Sequence, residues 1–211
     1  MLMMKKIVLS FWMHNIILTY KILLVSLLLL SLSGFSQRES AWTVDIGLTQ
    51  TYPGFFNLYN GSADIEAGYQ TKLAGGLFAG GSFGVQFLKL DGSQSKTIIY
   101  KPKLSLHYTL KAGKSFRVVP LVSVGYSFLN IKNNEYGYAT TQSGLNLSPE
   151  LKLLWKTQIR TDFYFYGRYD YILLGEDKEF THLNYYRNVN LTSFGIGIVI
   201  KKKKNELPEK Y

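Results

Sequence analysis

Three residues that could do acid–base chemistry occupy alternate positions of one segment: Ser105, His107 and Thr109. This spacing places them on one face of a β-strand. Glu150 or Asp45, elsewhere in the chain, could complete a nucleophile–base–acid set. The shared face is polar and is expected to point into the fold. We therefore interpret His107 as an interior hydrogen-bonding residue rather than a general base.

A larger set of charges also falls on the polar faces of alternating segments, with acids and bases in equal number. It comprises Asp45, Asp64, Glu66, Glu150, Asp162 and Asp170 with Lys72, Lys101, Lys103, Arg117, Lys152 and Arg168, together with His107. Buried charges must be paired. The balance therefore predicts an ion-paired network that fills an interior, whereas a conducting path would favour one sign of charge.

Metal and thiol chemistry have little support. The chain has no Cys, which excludes a disulfide scaffold, thiolate catalysis, Cys-ligated zinc and a lipid-anchored lipobox. Glu176, Asp177, Glu179 and His182 offer hard ligands for a cation, but they lack the ligand spacing of an EF-hand. We interpret this segment as a solvated acidic loop and expect no cofactor.

The first 36 residues have the pattern of a secretory signal. Lysines precede an apolar run from Ile22 to Leu32, and small or polar residues follow it, with Gly34 and Ser36 preceding a cleavage site at Gln37. The run is shorter than the ~20 apolar residues of a membrane-spanning helix. We predict cleavage of residues 1–36, with translation starting at Met1 or Met13.

The formal net charge of +10 lies largely outside the predicted fold. Residues 1–36 carry three Lys and no acid, and the tail at 201–211 carries five Lys and two Glu. Nucleic-acid binding needs a basic patch on the folded body, so we do not expect it.

Apolar and polar residues alternate along most of the remaining chain, which is the pattern of half-buried strands. Eight strands are predicted, at about 41–51, 62–72, 76–89, 97–110, 116–129, 142–155, 161–173 and 189–200. Long and short connections alternate between them, as in a membrane barrel with both termini in the periplasm. Pro102, Pro120 and Pro149 interrupt three strands, and we expect bulges or locally broken pairing there.

Aromatic residues fall near both ends of the apolar faces, as in the girdles of membrane barrels. Near the chain-terminus end lie Trp42, Tyr69, Tyr108, Trp155 and Phe163, and near the other end lie Phe87, Tyr100, Phe128 and Tyr171. A secreted ligand-binding barrel of the lipocalin type would also alternate, but with its apolar side chains inside. The girdles and the glycines on the polar faces favour the membrane barrel.

With these features the sequence resembles the small eight-stranded outer-membrane barrels of the OmpA/OmpX type in Gram-negative bacteria. The last strand resembles the signal that the barrel-assembly machinery reads in this class, through Ser193, Gly195, Ile198 and Ile200. The family usually has aromatics at the last two of these positions and ends there, whereas this chain has Ile and continues to Tyr211. We therefore predict a signal peptide at 1–36, an all-β, eight-stranded, antiparallel up-and-down transmembrane barrel at 37–200, and a basic periplasmic tail at 201–211.

The resemblance implies a protein of the outer membrane whose partners are membrane lipid and the assembly machinery. The task predicted from these features is non-enzymatic, structural or adhesive through outside loops rich in Tyr and Asn, with a filled interior. A narrow solute pore is the first alternative. A lipid-modifying enzyme is the second, although the His-x-Ser-Asn run of outer-membrane lipid A deacylases is absent.

Overall fold

The computed structural model describes residues 39–52, 59–90, 95–133, 138–157, 160–175 and 188–202. The predicted signal peptide, most of the tail and the acidic loop at 176–182 lie outside these ranges. The strands are β1 (Ser40–Tyr52), β2 (Tyr59–Ala74), β3 (Leu77–Leu90), β4 (Ser95–Tyr108), β5 (Leu110–Lys111), β6 (Phe116–Asn133), β7 (Tyr138–Trp155), β8 (Thr161–Leu174) and β9 (Asn188–Lys201).

These strands form one closed antiparallel sheet in which each strand pairs with its neighbours in the chain. The order is β4-β3-β2-β1-β9-β8-β7-β6-β5, and the pairing of β4 with β6 closes the sheet. β5 continues β4 beyond Thr109 against the same partner strand, so the barrel has eight strand positions. All eight predicted strands are confirmed. Closure gives each of the eight strand positions a partner on both sides, as a lipid-embedded sheet requires.

The strands are staggered around the barrel. Following paired residues from Trp42 once around the sheet leads back to β1 at Tyr52, ten residues further along. The path runs through Tyr69, Gly81, Leu104, Val124, Leu147, Tyr171 and Asn190. Such a stagger tilts the strands against the barrel axis and brings residues distant in the chain to one level.

The apolar faces point outward. Leu104 is 70% exposed, whereas its neighbour Lys103 is 4% exposed, and the other strands repeat this contrast. This arrangement contradicts the lipocalin-like alternative, in which the apolar face lines the interior. An exposed apolar surface around a closed, polar-lined sheet is that of a membrane-spanning barrel. Over the described ranges, we find no helix long and apolar enough to cross a membrane.

The residues predicted for the girdles lie on the outer surface. The chain-terminus end of the barrel is the end where β1 begins and β9 ends. There, Trp42 packs edge-to-face on Tyr69, with ring centroids 5.0 Å apart. Phe116 stacks on Trp155 at 5.9 Å. Register places Trp155 opposite Phe163 on β8, so these rings share one end of the barrel.

The three prolines coincide with gaps in the hydrogen-bonded ladders. Pairing of β4 with β6 lapses between Tyr100 and Lys103, around Pro102, and resumes in the same register. Pairing of β7 with β8 lapses around Pro149 in the same way. Pro120 lies opposite the break between β4 and β5. The expectation of locally broken pairing is confirmed; the bulges lie elsewhere, in the pairing of β2 with β1 and β3.

The connections are shorter than predicted at the end opposite the termini. Pairing continues through Asn130–Thr141 and Asn133–Tyr138, so the connection predicted at 130–141 is reduced to 134–137. The strict alternation of long and short connections was therefore wrong. The strands continue because polar residues also pair beyond the apolar band, where the alternation that marked the strands has ended.

Candidate functional site: the barrel interior

Arg168 lies at the centre of the interior and contacts four carboxylates. Its guanidinium nitrogens are 3.4 Å from Asp45, 3.2 Å from Asp64, 3.0 Å from Glu66 and 2.8 Å from Glu150. The Arg168 side chain is inaccessible to solvent, and its partners come from β1, β2 and β7. A planar guanidinium with several donors suits such a shared position.

Three lysines extend this cluster along the interior. Lys101 is 3.2 Å from Asp64 and 2.9 Å from Asp170. Lys103 is 2.6 Å from Glu66, and Lys152 is 3.2 Å from Glu150. The nine charged side chains form one connected set, which we call the charge cluster. It contains Asp45, Asp64, Glu66, Glu150, Asp170, Lys101, Lys103, Lys152 and Arg168.

Neutral polar groups donate hydrogen bonds to two of the carboxylates. The Tyr164 hydroxyl donates to Asp45 at 3.0 Å. Asn146 donates to Asp170 at 3.3 Å, and Ser148 also donates to Asp170. These donors lower the cost of burying the carboxylates, which would be large for unpaired charges.

Four of the residues predicted for the network lie outside the charge cluster. Lys72 pairs with Glu39 at 3.1 Å, and Asp162 pairs with Lys201 at 2.6 Å, both at the chain-terminus end. Arg117 donates to the carbonyl oxygens of Gly113 and Phe116 in an exposed turn. Their faces point inward, but all three lie at strand ends, away from the charge cluster.

His107 is the fourth predicted residue that lies outside the charge cluster. It is buried, its ring stacks on Phe78 with centroids 5.1 Å apart, and its Nδ1 atom makes no hydrogen bond. A catalytic His of a triad is held by an acid at one ring nitrogen. The set imagined from Ser105, His107 and Thr109 with Glu150 or Asp45 has no such contact at Nδ1.

Two apolar layers lie inside the barrel, and the alternation of the strands did not predict them. At the end opposite the termini the buried layer consists of Leu88, Ile99, Leu129, Ile131, Ile172, Leu174, Val189 and Leu191. At the other end it consists of Ala41, Val119, Leu154, Tyr164, Tyr166 and Val199. The signal was present on β6, where Val119, Leu121 and Leu129 occupy the face expected to be polar.

Inward tyrosines cover glycines on the neighbouring strand. A side chain at Gly197 would collide with the ring of Tyr164, and one at Gly195 would collide with Tyr166 and with the backbone of β1. Tyr166 also lies under Arg168, whose guanidinium carbon is 4.8 Å from the ring centroid. Glycine at these positions therefore leaves room for the rings that fill the interior.

The four residues of the predicted assembly signal lie on β9. Ser193 is buried and shares a hydrogen bond of 2.9 Å with Thr49. Gly195 faces the interior, whereas Ile198 and Ile200 lie on the outward face. Recognition of these residues by the assembly machinery remains a prediction. Across the described segments, no group of three His, Cys, Asp or Glu side chains is arranged to hold a metal ion.

A closed antiparallel sheet with eight strand positions, a lipid-compatible exterior and a charged, packed interior defines a small transmembrane β-barrel. The fold is that of the small eight-stranded outer-membrane barrels. Solved structures similar to this chain include Neisserial surface protein A, with a TM-score of 0.56, 12% identity, and coverage of 77% of this chain and 97% of that one.

Two further structures are similar. Ail, the attachment invasion locus protein of Yersinia pestis, has a TM-score of 0.52 and 12% identity over 79% of this chain and 99% of Ail. A major outer membrane protein from Thermus thermophilus has a TM-score of 0.52 and 12% identity over 77% of this chain and 99% of that protein. No protein-family model matches the chain, and no curated protein matches it in sequence.

Proposed function

We propose that this chain is a non-enzymatic integral protein of the outer membrane, with a closed interior and a structural or adhesive role. Both termini lie in the periplasm, the signal at 1–36 is cleaved, and the assembly machinery inserts the barrel. The connections at the opposite end then face outward, and their sequences are rich in Tyr and Asn. Loops of this kind often contact partners. The similar fold of Ail, which is an attachment invasion locus protein, supports the adhesive form of this proposal.

The charge cluster is the observation that best supports the proposal of a closed interior. Its members come from β1, β2, β4, β7 and β8, and all of them are at most 9% exposed. An eight-stranded barrel is only wide enough for its own side chains. The apolar layer above the cluster, from Leu88 to Leu191, adds a second barrier to ions because it offers them no polar ligand.

Conductance across planar bilayers tests this proposal. The reconstituted protein is expected to give no stable openings at moderate voltage. Discrete, reproducible openings would instead support the second candidate, a narrow pore for small solutes. Membrane insertion is checked separately: the unboiled protein should migrate differently from the boiled protein on a gel and should fractionate with outer membranes.

If the role is adhesive, adhesion should depend on the outside connections, and changing a connection should leave the folded barrel intact. Replacing residues 177–186 by a short Gly/Ser linker should abolish adhesion of cells that display the protein, with the heat-dependent gel shift retained. If adhesion is unchanged, the role is structural, and detergent sensitivity of a deletion strain becomes the appropriate measurement.

The enzymatic alternative is weakened by the unpartnered Nδ1 of His107. It is tested by mass spectra of lipid A from a deletion strain. An unchanged acylation pattern is expected, and an altered pattern restored by the wild-type gene but not by His107→Phe would contradict the proposal.

A further inference from the structure

Five basic residues lie together at the end of the barrel that carries the chain termini. They are Lys111, Lys114, Arg117, Lys156 and Arg160, and we call this set the basic rim. Arg117 is partly buried and the other four are exposed. None of them belongs to the charge cluster, so the closed interior does not explain them.

The basic rim is continuous in space because neighbouring strands bring its members together. Lys111 on β5 pairs with Arg117 on β6. The backbone nitrogen of Lys156 donates to the carbonyl oxygen of Ser115, at 2.8 Å. This bond joins the residue that follows β7 to the connection between β5 and β6. Arg160 lies at the far end of the connection between β7 and β8, directly before β8. The rim therefore occupies the β5–β8 side of the barrel end.

No described carboxylate forms an ion pair with the rim. The two described acids at this end are Glu39 and Asp162, and each already has a partner, Lys72 at 3.1 Å and Lys201 at 2.6 Å. Arg117 is held in place by the carbonyl oxygens of Gly113 and Phe116, at 2.7 and 2.8 Å. These acceptors orient its guanidinium without neutralising it. The rim thus presents an uncompensated cationic surface.

The position of this surface relative to the bilayer follows from the aromatic girdle. Phe116 and Trp155 form a stacked pair on the outer surface, each 56% exposed. Exposed aromatic rings of this kind sit at the level of the lipid headgroups. Lys156 directly follows Trp155 where β7 ends, so its long side chain can reach the phosphate level beyond the rings. Arg117 lies one residue inside Phe116, and its guanidinium turns back to the carbonyl oxygens of Gly113 and Phe116 at the barrel end.

We propose that the basic rim binds the headgroups of anionic phospholipids in the leaflet that surrounds this end of the barrel. Charge complementarity selects the ligand, because cationic side chains at a bilayer surface are attracted to anionic lipid. The inference rests on the proposed membrane insertion and adds a lipid preference on the β5–β8 side. It makes this side a binding surface rather than a solvated edge.

The opposite side of the same end provides an internal comparison. Trp42 packs on Tyr69 there and is separated from Trp155 by two intervening strands, β9 and β8. Near it, Lys72 is neutralised by Glu39, whereas Lys202 is exposed and its backbone nitrogen donates to the carbonyl oxygen of Ser40. A probe at Trp155 should therefore report an enrichment of anionic lipid that depends on the rim residues, whereas any enrichment at Trp42 should be independent of them.

Fluorescence quenching by brominated lipids tests the proposal on the full chain. One variant, Trp12→Phe with Trp42→Phe, keeps Trp155 alone, and a second, Trp12→Phe with Trp155→Phe, keeps Trp42. Each is reconstituted in mixtures of phosphatidylcholine and phosphatidylglycerol, with one lipid brominated at a time. At Trp155 the binding constant for phosphatidylglycerol should exceed that for phosphatidylcholine by roughly fivefold, the equivalent of one cationic side chain at an anionic surface.

Matched triple variants locate the effect. Lys111→Gln, Lys156→Gln and Arg160→Gln together should bring the ratio at Trp155 close to one. Lys89→Gln, Lys96→Gln and Lys132→Gln remove the same charge from exposed positions near the other end of the barrel and should leave the ratio unchanged. High salt should reduce the ratio in the wild-type background.

The headgroup site would be contradicted by equal binding constants for the two lipids at Trp155, or by a ratio of these constants that is unchanged in the rim variant. If millimolar inorganic phosphate abolishes the preference for phosphatidylglycerol, the rim is instead a site for free phosphate. Rim-dependent sedimentation with peptidoglycan in the absence of a lipid preference would assign the surface to the cell wall. If neither brominated lipid quenches, the protein is not inserted, and the proposed function itself fails.

Discussion

The guanidinium group of Arg168 on β8 lies 3.2 Å from a carboxylate oxygen of Asp64 on β2, although β9 and β1 separate these strands in the sheet. The contact therefore crosses the barrel interior rather than following its wall. Both side chains are inaccessible to solvent. A pair of this kind holds the two sides of the barrel together, and it leads to the first prediction.

Arg168→Gln should reduce the free energy of unfolding by about 3–5 kcal/mol, because it leaves Asp45, Asp64, Glu66 and Glu150 buried without their shared cation. Urea unfolding of the protein in lipid vesicles, followed by tryptophan fluorescence, measures the change. Arg117→Gln is the control, with a change of at most about 1 kcal/mol expected for a side chain at the exposed barrel end. Equal losses in the two variants would show that the central contacts do not stabilise the barrel.

Gly195→Ala should destabilise the barrel by about 3 kcal/mol, the upper part of the range for overpacking. The added carbon would lie 2.7 Å from the ring of Tyr166 and would also meet the backbone of Ile46. Gly81→Ala is the matched control, since its nearest neighbours would be 3.7 Å away, and it should be nearly neutral.

Refolding of the glycine variants into vesicles without the assembly machinery separates packing from recognition. If Gly195→Ala refolds with wild-type stability but fails to assemble in cells, Gly195 acts through the assembly signal and not through its contact with Tyr166.

Leu104→Lys tests the lipid-facing band. Leu104 lies midway along the outward face that runs from Ile98 to Leu110 and is 70% exposed. A lysine there should cost about 2–4 kcal/mol in a bilayer, whereas Leu110→Lys at the end of the same face should cost about 0–1 kcal/mol. Vesicle-based unfolding measures both. Equal and negligible costs would contradict a transmembrane position for this surface.

Leu129→Ala should cost about 2–5 kcal/mol, because Leu129 is fully buried in the interior apolar layer and its truncation leaves a cavity. Leu147→Ala makes the same chemical change on the outward face, where lipid chains fill the space, and should cost less. Unfolding in vesicles compares the two variants. A larger cost for Leu147→Ala would mean that the interior layer is loosely packed.

The strands and the orientation of their faces could be predicted from the sequence. Strict alternation, as in Leu104 beside Lys103, makes every second residue lie on the same face. The exposed fraction of these two side chains confirms both the assignment and its direction. The outward orientation of the apolar faces could be predicted because aromatic girdles and small residues on the polar faces fit a membrane barrel and not a barrel with an apolar interior.

The strand ends and the interior apolar layer could not be predicted from the sequence in the same way. Local patterning marks a strand only while one face is apolar, so the continuation of β6 and β7 to Asn133 and Tyr138 left no alternation to detect. Likewise, Ile172 and Val189 fall on the same faces as Asp170 and Ser193, so the alternation of these strands did not indicate an apolar layer. They are buried together because the closed sheet brings the ends of several strands to one level.

The sequence by itself determined a membrane-compatible barrel: which segments are strands, which side faces lipid, and which charges face inward. These properties depend on a period of two residues, which is local. Only the tertiary structure decided that Arg168 is shared by four carboxylates while Lys72, Arg117 and Asp162 lie outside the cluster. Those partnerships depend on the ten-residue stagger around the closed sheet, which sets the height of each side chain and cannot be derived from any single strand.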